Sequence, residues 1–189
     1  LFNVGTVELA STLAVKRTVV IDGQGATTVK GSFNVAAPLF SINTSGVTLQ
    51  NLNLTHPGGF LLYIISSGTT IKNSSLSGNS TAVMVKTGAD NTLTQNEFSA
   101  NSVAAIVLSN GGNAGVTEPV IADAQMISAT EWELTGTVED GITSVEIYEA
   151  DPTTPNVPQG KYVATVDSNA IQNGSFSITL NAGVNDPAK

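Results

Sequence analysis

Chemistry in this chain would have to come from few side chains: fifteen Asp and Glu, seven Lys and Arg, one His and no Cys among 189 residues. Arg17, the only arginine, stands beside Lys16, and His56 precedes Pro57-Gly58-Gly59. Acid and base work on a glycoside needs two carboxyls about 5–9.5 Å apart, so the question is which acids the fold brings side by side. Glu139, Asp140 and Asp151 are expected in or beside loops, where Ca2+ finds its oxygen ligands. They carry no EF-hand or Asp-x-Asp-x-Asp spacing, and the plainer reading is a solvated acidic face. Asp22-Gly23-Gln24-Gly25 is Gly-rich but opens no helix, which makes it a poor phosphate cradle. His56, with no Ser–Asp partner or second ligand, reads as a polar turn residue. No motif implies a cofactor; Ca2+ is the one ion left open.

Composition bounds what could position these groups. Only 12% of residues are charged, while Gly, Ser, Thr, Asn and Val dominate, which favours short strands and tight turns over helices. Without cysteine there is neither a disulfide framework nor a thiolate metal site. No apolar run approaches the ~18 residues of a membrane span. The chain starts at Leu1 with no leader-like segment and is read as a mature product or an excised fragment. Charge is uneven: residues 1–112 hold five Lys/Arg against four acids (Glu8, Asp22, Asp90, Glu97), and residues 113–189 hold eleven acids against Lys161 and Lys189. Such a break suggests two domains, and a net acidic chain is a poor partner for nucleic acid.

The first part repeats. SGVTLQNLNL from Ser45, SGTTIKNSSL from Ser67 and ADNTLTQNEF from Ala89 superpose at a shift of 22 residues. Leu49, Ile71 and Leu93 form one column, and Leu54, Leu76 and Phe98 another. Asn51, Asn73 and Gln95 form a polar column at a bend, read as an amide ladder along the stack. Gly46, Gly68 and Asp90 share a turn position that calls for positive φ. The same shift aligns Leu39–Ile42, Leu61–Ile64, Val83–Lys86 and Ala105–Leu108. Counting back 28 from Leu49 reaches Ile21, a six-residue insertion in the first interval. Short strands repeating every 22 residues predict a parallel β-helix, one coil per repeat.

The runs TVVIDGQGATTVKG (Thr18–Gly31) and LFSINTSGVTLQNLNLT (Leu39–Thr55) resemble the right-handed parallel β-helix repeats of the pectate-lyase-like superfamily, closest to non-catalytic surface and periplasmic repeat proteins. The resemblance covers residues 1–112 and implies the fold, while saying little of activity. Lyases on such a fold hold Ca2+ with clustered acids and take a proton with Arg or Lys; its glycosidases group Asp carboxylates on one face. Here Asp22 shares a column with Gln50, Lys72 and Thr94, Glu97 with Asn53 and Ser75, and Asp90 with the two glycines. No two acids stack, so no catalytic residue is assigned.

Beyond LSNGGNAGVTEP, with residues 113–118 as a linker, the period changes to alternation in VIADAQMIS, EWELTGTVE, ITSVEIYEA, GKYVATVDS and GSFSITLNA. These five segments predict a small antiparallel β-sandwich over 119–189 with Trp132 in its core. TGTVEDGITSVEIYEAD, QGKYVATVDS and NGSFSITL resemble bacterial immunoglobulin-like modules, which implies a spacer or adhesion unit. The whole is therefore expected to be an all-β, non-enzymatic structural or adhesive protein of a bacterial cell surface, extracellular, partnered by itself, by neighbouring modules or by surface glycans. Leu1–Val4 offers no cap, so end-to-end stacking into a filament is expected of the open first coil. The alternative is part of a polysaccharide-active lyase, hydrolase or epimerase, or a carbohydrate-binding module.

Overall fold

The computed structural model describes residues 5–33 and 36–181. They divide into two compact units: the chain up to Gly115 together with Asp151–Lys161, and Val116–Ala150 together with the chain from Tyr162. The expectation placed on Leu1–Val4 lies outside the described residues.

The first unit is a solenoid of twelve short strands: β1 (Thr6–Leu9), β2 (Leu13–Val15), β3 (Val20–Gly31), β4 (Phe40–Ile42), β5 (Thr48–Thr55), β6 (Phe60–Ile64), β7 (Thr70–Lys72), β8 (Ser75–Ser77), β9 (Thr81–Val85), β10 (Thr92–Thr94), β11 (Glu97–Ser99) and β12 (Ala104–Leu108). Every pairing between coils is parallel, the inner coils pairing on both sides. One wall runs β1-β3-β5 and continues both as β8-β11 and as β7-β10; the other runs β2-β4-β6-β9-β12. Leu49 sits on Ile71 and Ile71 on Leu93, while Leu54, Leu76 and Phe98 stack beside them. Leu49, Leu54, Ile71 and Leu76 are fully buried, each contributing roughly 1.5–3 kcal/mol of burial. The 22-residue coil is thus the structural unit.

The six extra residues of the first full coil fall in two places. Asp22 pairs with Gln50, 28 residues on, but Thr27 pairs with Leu52, 25 on, so Gly23–Ala26 bulge out of the strand. Phe40 pairs with Leu62, 22 on, so the remaining surplus lies in the chain between β3 and β4. A second departure corrects the expected register. A uniform shift would set Leu62 on Met84 and turn Lys86 inward. Instead Leu62 meets Val83 and Ile64 meets Val85, and the next step restores the count by pairing Val83 with Ile106. A one-residue slip exchanges the two faces of a strand, and this one buries Val83 and Val85 completely while leaving Lys86 outside the core.

The second unit contains β13 (Val120–Ser128), β14 (Glu131–Thr137), β15 (Val145–Ala150), β16 (Gly160–Val166), β17 (Ile171–Gln172) and β18 (Ser175–Asn181). A four-stranded antiparallel sheet has the order β13-β14-β18-β17. Leu134, Phe176 and Leu180 from it pack with Val145, Ile147 and Val166 of β15 and β16 in one core. Alternation explains the pattern: in β14 Leu134 and Gly136 are buried while Thr137 faces solvent. Trp132, expected in the core, is only half-buried and is not among the residues of that core; it stands opposite Met126 and Leu180 in the sheet.

β16 begins in the first unit and ends in the second. Its Gly160–Lys161 end belongs with the solenoid, where Lys161 pairs antiparallel with Glu97 of β11.

Candidate functional site

The polar residues that sequence singled out concentrate at the corners of the coils, and the geometry there explains why. Gly46, Gly68 and Asp90 have φ of 72°, 65° and 57°; Asn51, Asn73 and Gln95 have 55°, 51° and 54°; Gly78 and Ala100 have 72° and 53°. A single left-handed residue folds the chain from one straight segment to the next, and Asn or Asp tolerates it better than most residues with a Cβ. The residue after each corner turns inward, and at Leu52, Thr69, Ser74, Asn79 and Asn91 its backbone N–H is taken by a side chain one coil further on.

Three ladders follow. After the Asn51 corner, Leu52 N–H donates to Ser74 Oγ (3.2 Å) and Ser74 N–H to Asn96 Oδ1 (3.1 Å), while Asn96 Nδ2 donates to Ile71 O (2.8 Å). After the Gly68 corner, Thr69 N–H donates to Asn91 Oδ1 (2.9 Å) and Asn91 N–H to Asn113 Oδ1 (2.7 Å). Asn113, assigned by composition to the linker, is the last rung of this ladder. Along the third, His56 N–H donates to Asn79 Oδ1 (2.6 Å), and Asn79 donates to Asn101 Oδ1 from its backbone N (3.2 Å) and from Nδ2 (2.9 Å). Asn79, Asn91, Asn96 and Asn101 are all buried. A buried ladder therefore runs through the residues after Asn51, Asn73 and Gln95, namely Leu52, Ser74 and Asn96. Asn51 itself turns outward and donates Nδ2 to Asp22 (2.9 Å), and Asn73 is exposed.

The third ladder does not stop at the last coil. Asn101 N–H and Nδ2 both donate to Gln159 Oε1 (3.0 and 2.9 Å), and Gln159 Nε2 donates to Asn101 O (3.2 Å). Beside it, Ala100 N–H donates to Asp151 Oδ2 (3.1 Å), and Thr153 donates to Asp151 Oδ1 from its backbone N (2.9 Å) and its hydroxyl (2.6 Å). The Thr153 hydroxyl and these two backbone donors hold the Asp151 carboxyl down to a pKa of about 2. Gln159 also donates to Thr154 within the segment. Residues 151–161 thus form a strap over the end of the solenoid, and its one buried side chain serves as the missing rung.

His56 corrects the turn reading. It is 1% exposed, its ring stacked on Phe33 with centroids 4.4 Å apart and its Nε2 3.1 Å from Ala37 O. The ring fills the space over Gly31, where a Cβ would stand 2.2 Å from Nδ1. It is a wedge in the position that Asn79 and Asn101 occupy in later coils, out of reach of any substrate.

On the outer face of the β3-β5-β7 wall, Asp22, Gln50 and Lys72 occupy successive strands. Asp22 accepts from Asn51 Nδ2, Gln24 N (2.8 Å) and Gln50 Nε2 (2.7 Å). These donors, led by the Asn51 amide and helped by the Lys72 charge, lower its pKa. Such a carboxyl is a fixed anion, whereas a general acid needs its pKa raised. Glu97 stands in a column with Asn53 and Ser75, and Glu8 pairs with Lys30. Among the metal candidates, Glu139 Oε2 accepts from Thr117 N (3.3 Å), and Asp151 belongs to the strap. Among the described residues no group of three or more His, Asp and Glu is placed to hold a metal ion, and no helix is long and apolar enough to cross a membrane.

The parallel register, the 22-residue coil and the corner ladders are the features a family profile can be tested against. The profile of the right handed beta helix region matches residues 17–185. The chain belongs to this family. The match to the β-helix family runs through both the solenoid and the second unit. No curated protein and no solved structure matches the chain significantly.

Proposed function

We propose that this chain is a non-catalytic structural or adhesive module of a bacterial cell surface, with the solenoid as its rigid body and the second unit as an immunoglobulin-like spacer. The observation that carries this reading is the separation of the acids on the solenoid. Glu8, Asp22 and Glu97 lie in different columns, and Asp90 occupies a left-handed corner. A carboxylate pair, the minimum for glycoside hydrolysis, has no place to form on adjacent strands. The spacer reading draws on the two-sheet packing around Leu134 and Phe176, and the pectate-lyase-like kinship on the repeats at Thr18–Gly31 and Leu39–Thr55. Extracellular placement draws on a stability built from packing and amide ladders without thiols.

A glycan-binding reading has one observation in its favour. Asp22, Gln50, Asn51 and Lys72 present donors and acceptors together on one outward face. The two readings separate in one experiment. The purified chain is incubated with polyuronates and neutral polysaccharides, with and without Ca2+, while reducing ends and unsaturated products are followed; the same chain is applied to a glycan array. The structural reading expects no turnover and no Asp22-dependent binding. Turnover abolished by Asp22→Asn or Lys72→Ala would overturn it.

A further inference from the structure

An edge strand carries a row of backbone groups that no neighbour uses, and proteins guard it with charge, bulges or brevity. β13 ends the β13-β14-β18-β17 sheet, so its second side pairs with no strand among the described residues. It is nine residues long, and its large apolar side chains Val120, Ile121, Met126 and Ile127 are 49–61% exposed. The register breaks at Ala122 and at Ile127, which leaves Asp123–Met126 as the regular stretch between two bulges. We propose that this stretch of β13 is the docking edge for an extended segment of a partner protein in which apolar and basic residues alternate. The inference goes beyond the structural reading above and does not depend on it.

The occupant follows from what each face presents. Ala124 stands opposite Leu134 and Met126 opposite Trp132, on the side of the sheet that holds the core. Asp123 stands opposite Thr135 and Gln125 opposite Glu133, on the other side. A strand added along β13 therefore sets every second side chain beside Ala124 and Met126, where an apolar group covers the exposed Met126. The alternate side chains lie beside Asp123 and Gln125, with Glu133 one strand further in. The described residues of the second unit include no Lys, Arg or His, so no cation of the unit answers these carboxylates, and opposite charges across a strand pair are favourable. Asp123 also guards the edge. Alternate residues of an antiparallel strand turn their N–H to the free side, and the Ala124 N–H donates to Asp123 Oδ1 (2.9 Å). An incoming carbonyl takes this N–H when a Lys or Arg beside it engages the carboxylate instead. Main-chain bonds then supply affinity and alternate side chains supply selectivity. A second copy of this chain is the poorer occupant, because antiparallel pairing of two β13 strands about Ala124 brings Asp123 and Glu133 of both copies to one face, like charge against like.

The test uses the full chain and two blocked hexapeptides, one alternating Val and Lys, the other alternating Val and Glu. Binding is followed by amide chemical shifts and by hydrogen exchange. The Val/Lys peptide is expected to bind, to slow exchange within Val120–Ser128 by about tenfold or more, and to bind more weakly as salt is raised. The Val/Glu peptide is expected not to bind. Ala124→Pro removes the N–H on the free side, an edge position that accepts proline, and is expected to abolish binding while the chain keeps its thermal midpoint. Asp123→Lys combined with Glu133→Lys leaves the β13–β14 ladder in place and is expected to reverse the preference, with Val/Glu bound at least about threefold more tightly than Val/Lys. Where Ala124→Pro lowers the midpoint, the charge-reversed chain decides. Failure of the Val/Lys peptide to bind, equal binding of the two peptides, or a preference that charge reversal leaves unchanged overturns the proposal. So does association of the free chain that Ala124→Pro abolishes, since a second copy would then be the occupant.

Discussion

Asn101→Ala tests whether the corner ladders hold the solenoid or merely decorate it. The side chain is fully buried and makes four hydrogen bonds: Oδ1 accepts two from Asn79, and Nδ2 donates to Leu76 O and to Gln159 Oε1. At about 1 kcal/mol net for each bond, and more where a buried partner is left unsatisfied, the loss is roughly 3–5 kcal/mol. That is a large share of the ~5–15 kcal/mol that stabilises a domain. Urea unfolding followed by circular dichroism should show the solenoid's midpoint falling by about 2 M, taking a slope near 2 kcal/mol per molar. Two comparisons make the result diagnostic. Asn101→Leu keeps the volume but none of the bonds, so it should be as damaging as Ala. Asn73→Ala, at an exposed corner with φ of 51°, should cost only ~1–2 kcal/mol from its left-handed backbone. Should Asn101→Leu match the wild type, or Asn101→Ala lose less than 1 kcal/mol, packing rather than the ladder would be what holds the coils.

Ala100 sits at the corner that Gly78 fills one coil earlier, with φ of 53°; Ala100→Gly should raise stability by about 0.5–1 kcal/mol, the relief of the Cβ clash less the added chain entropy, read as a higher urea midpoint. Gly88→Ala should be among the most damaging changes, because φ is 91° and the new Cβ would meet Ser66 O at 2.2 Å; thermal unfolding should drop well below that of Asn73→Ala. Asp151 has a folded pKa of about 2, below its unfolded value near 3.9. Its contribution is therefore complete above about pH 4 and is lost as pH falls through about 2. Stability profiles of wild type and Asp151→Asn should accordingly converge between pH 4 and pH 2, and parallel profiles would refute the assignment.

Legibility followed periodicity. Columns such as Leu49, Ile71 and Leu93 could be read because each coil repeats them at one spacing and burial demands apolar side chains there. The Gly46, Gly68 and Asp90 corner was readable for a similar reason, since positive φ restricts the residue type. Asn51, Asn73 and Gln95 drew the eye because they look more alike than Leu52, Ser74 and Asn96, whose backbone N–H groups and side chains build the buried ladder. A better signal was available: a polar residue directly after several left-handed corners, as in Gly68-Thr69, Asp90-Asn91 and Gly78-Asn79. The slip at Val83 was hidden because Val-Met-Val-Lys fits a shift of 22 as a string and fails only when Lys86 is asked to enter the core. Gln159 gave no periodic signal at all. It lies in the Pro-rich segment Asp151–Lys161, which returns to the first unit, and its role depends on a contact that no repeat encodes.

The isolation of Asp22 is a matter of residues rather than of frame. Gln50 stands on the neighbouring strand, about 4.8 Å away in the ladder direction, which is near the separation of carboxyls in retaining glycosidases. A Glu at that position would give the wall an acid pair without moving the backbone. The chain instead places there an amide that donates to Asp22, and next to it Asn51, which donates again. Two donors stabilise the ionised form, and no like charge opposes it, so the proton a general acid must hold is driven off. The same amide chemistry that binds coil to coil inside the solenoid holds Asp22 ionised on its outer face. A wall built this way presents a fixed, hydrogen-bonded anion beside the Lys72 cation on its outer face.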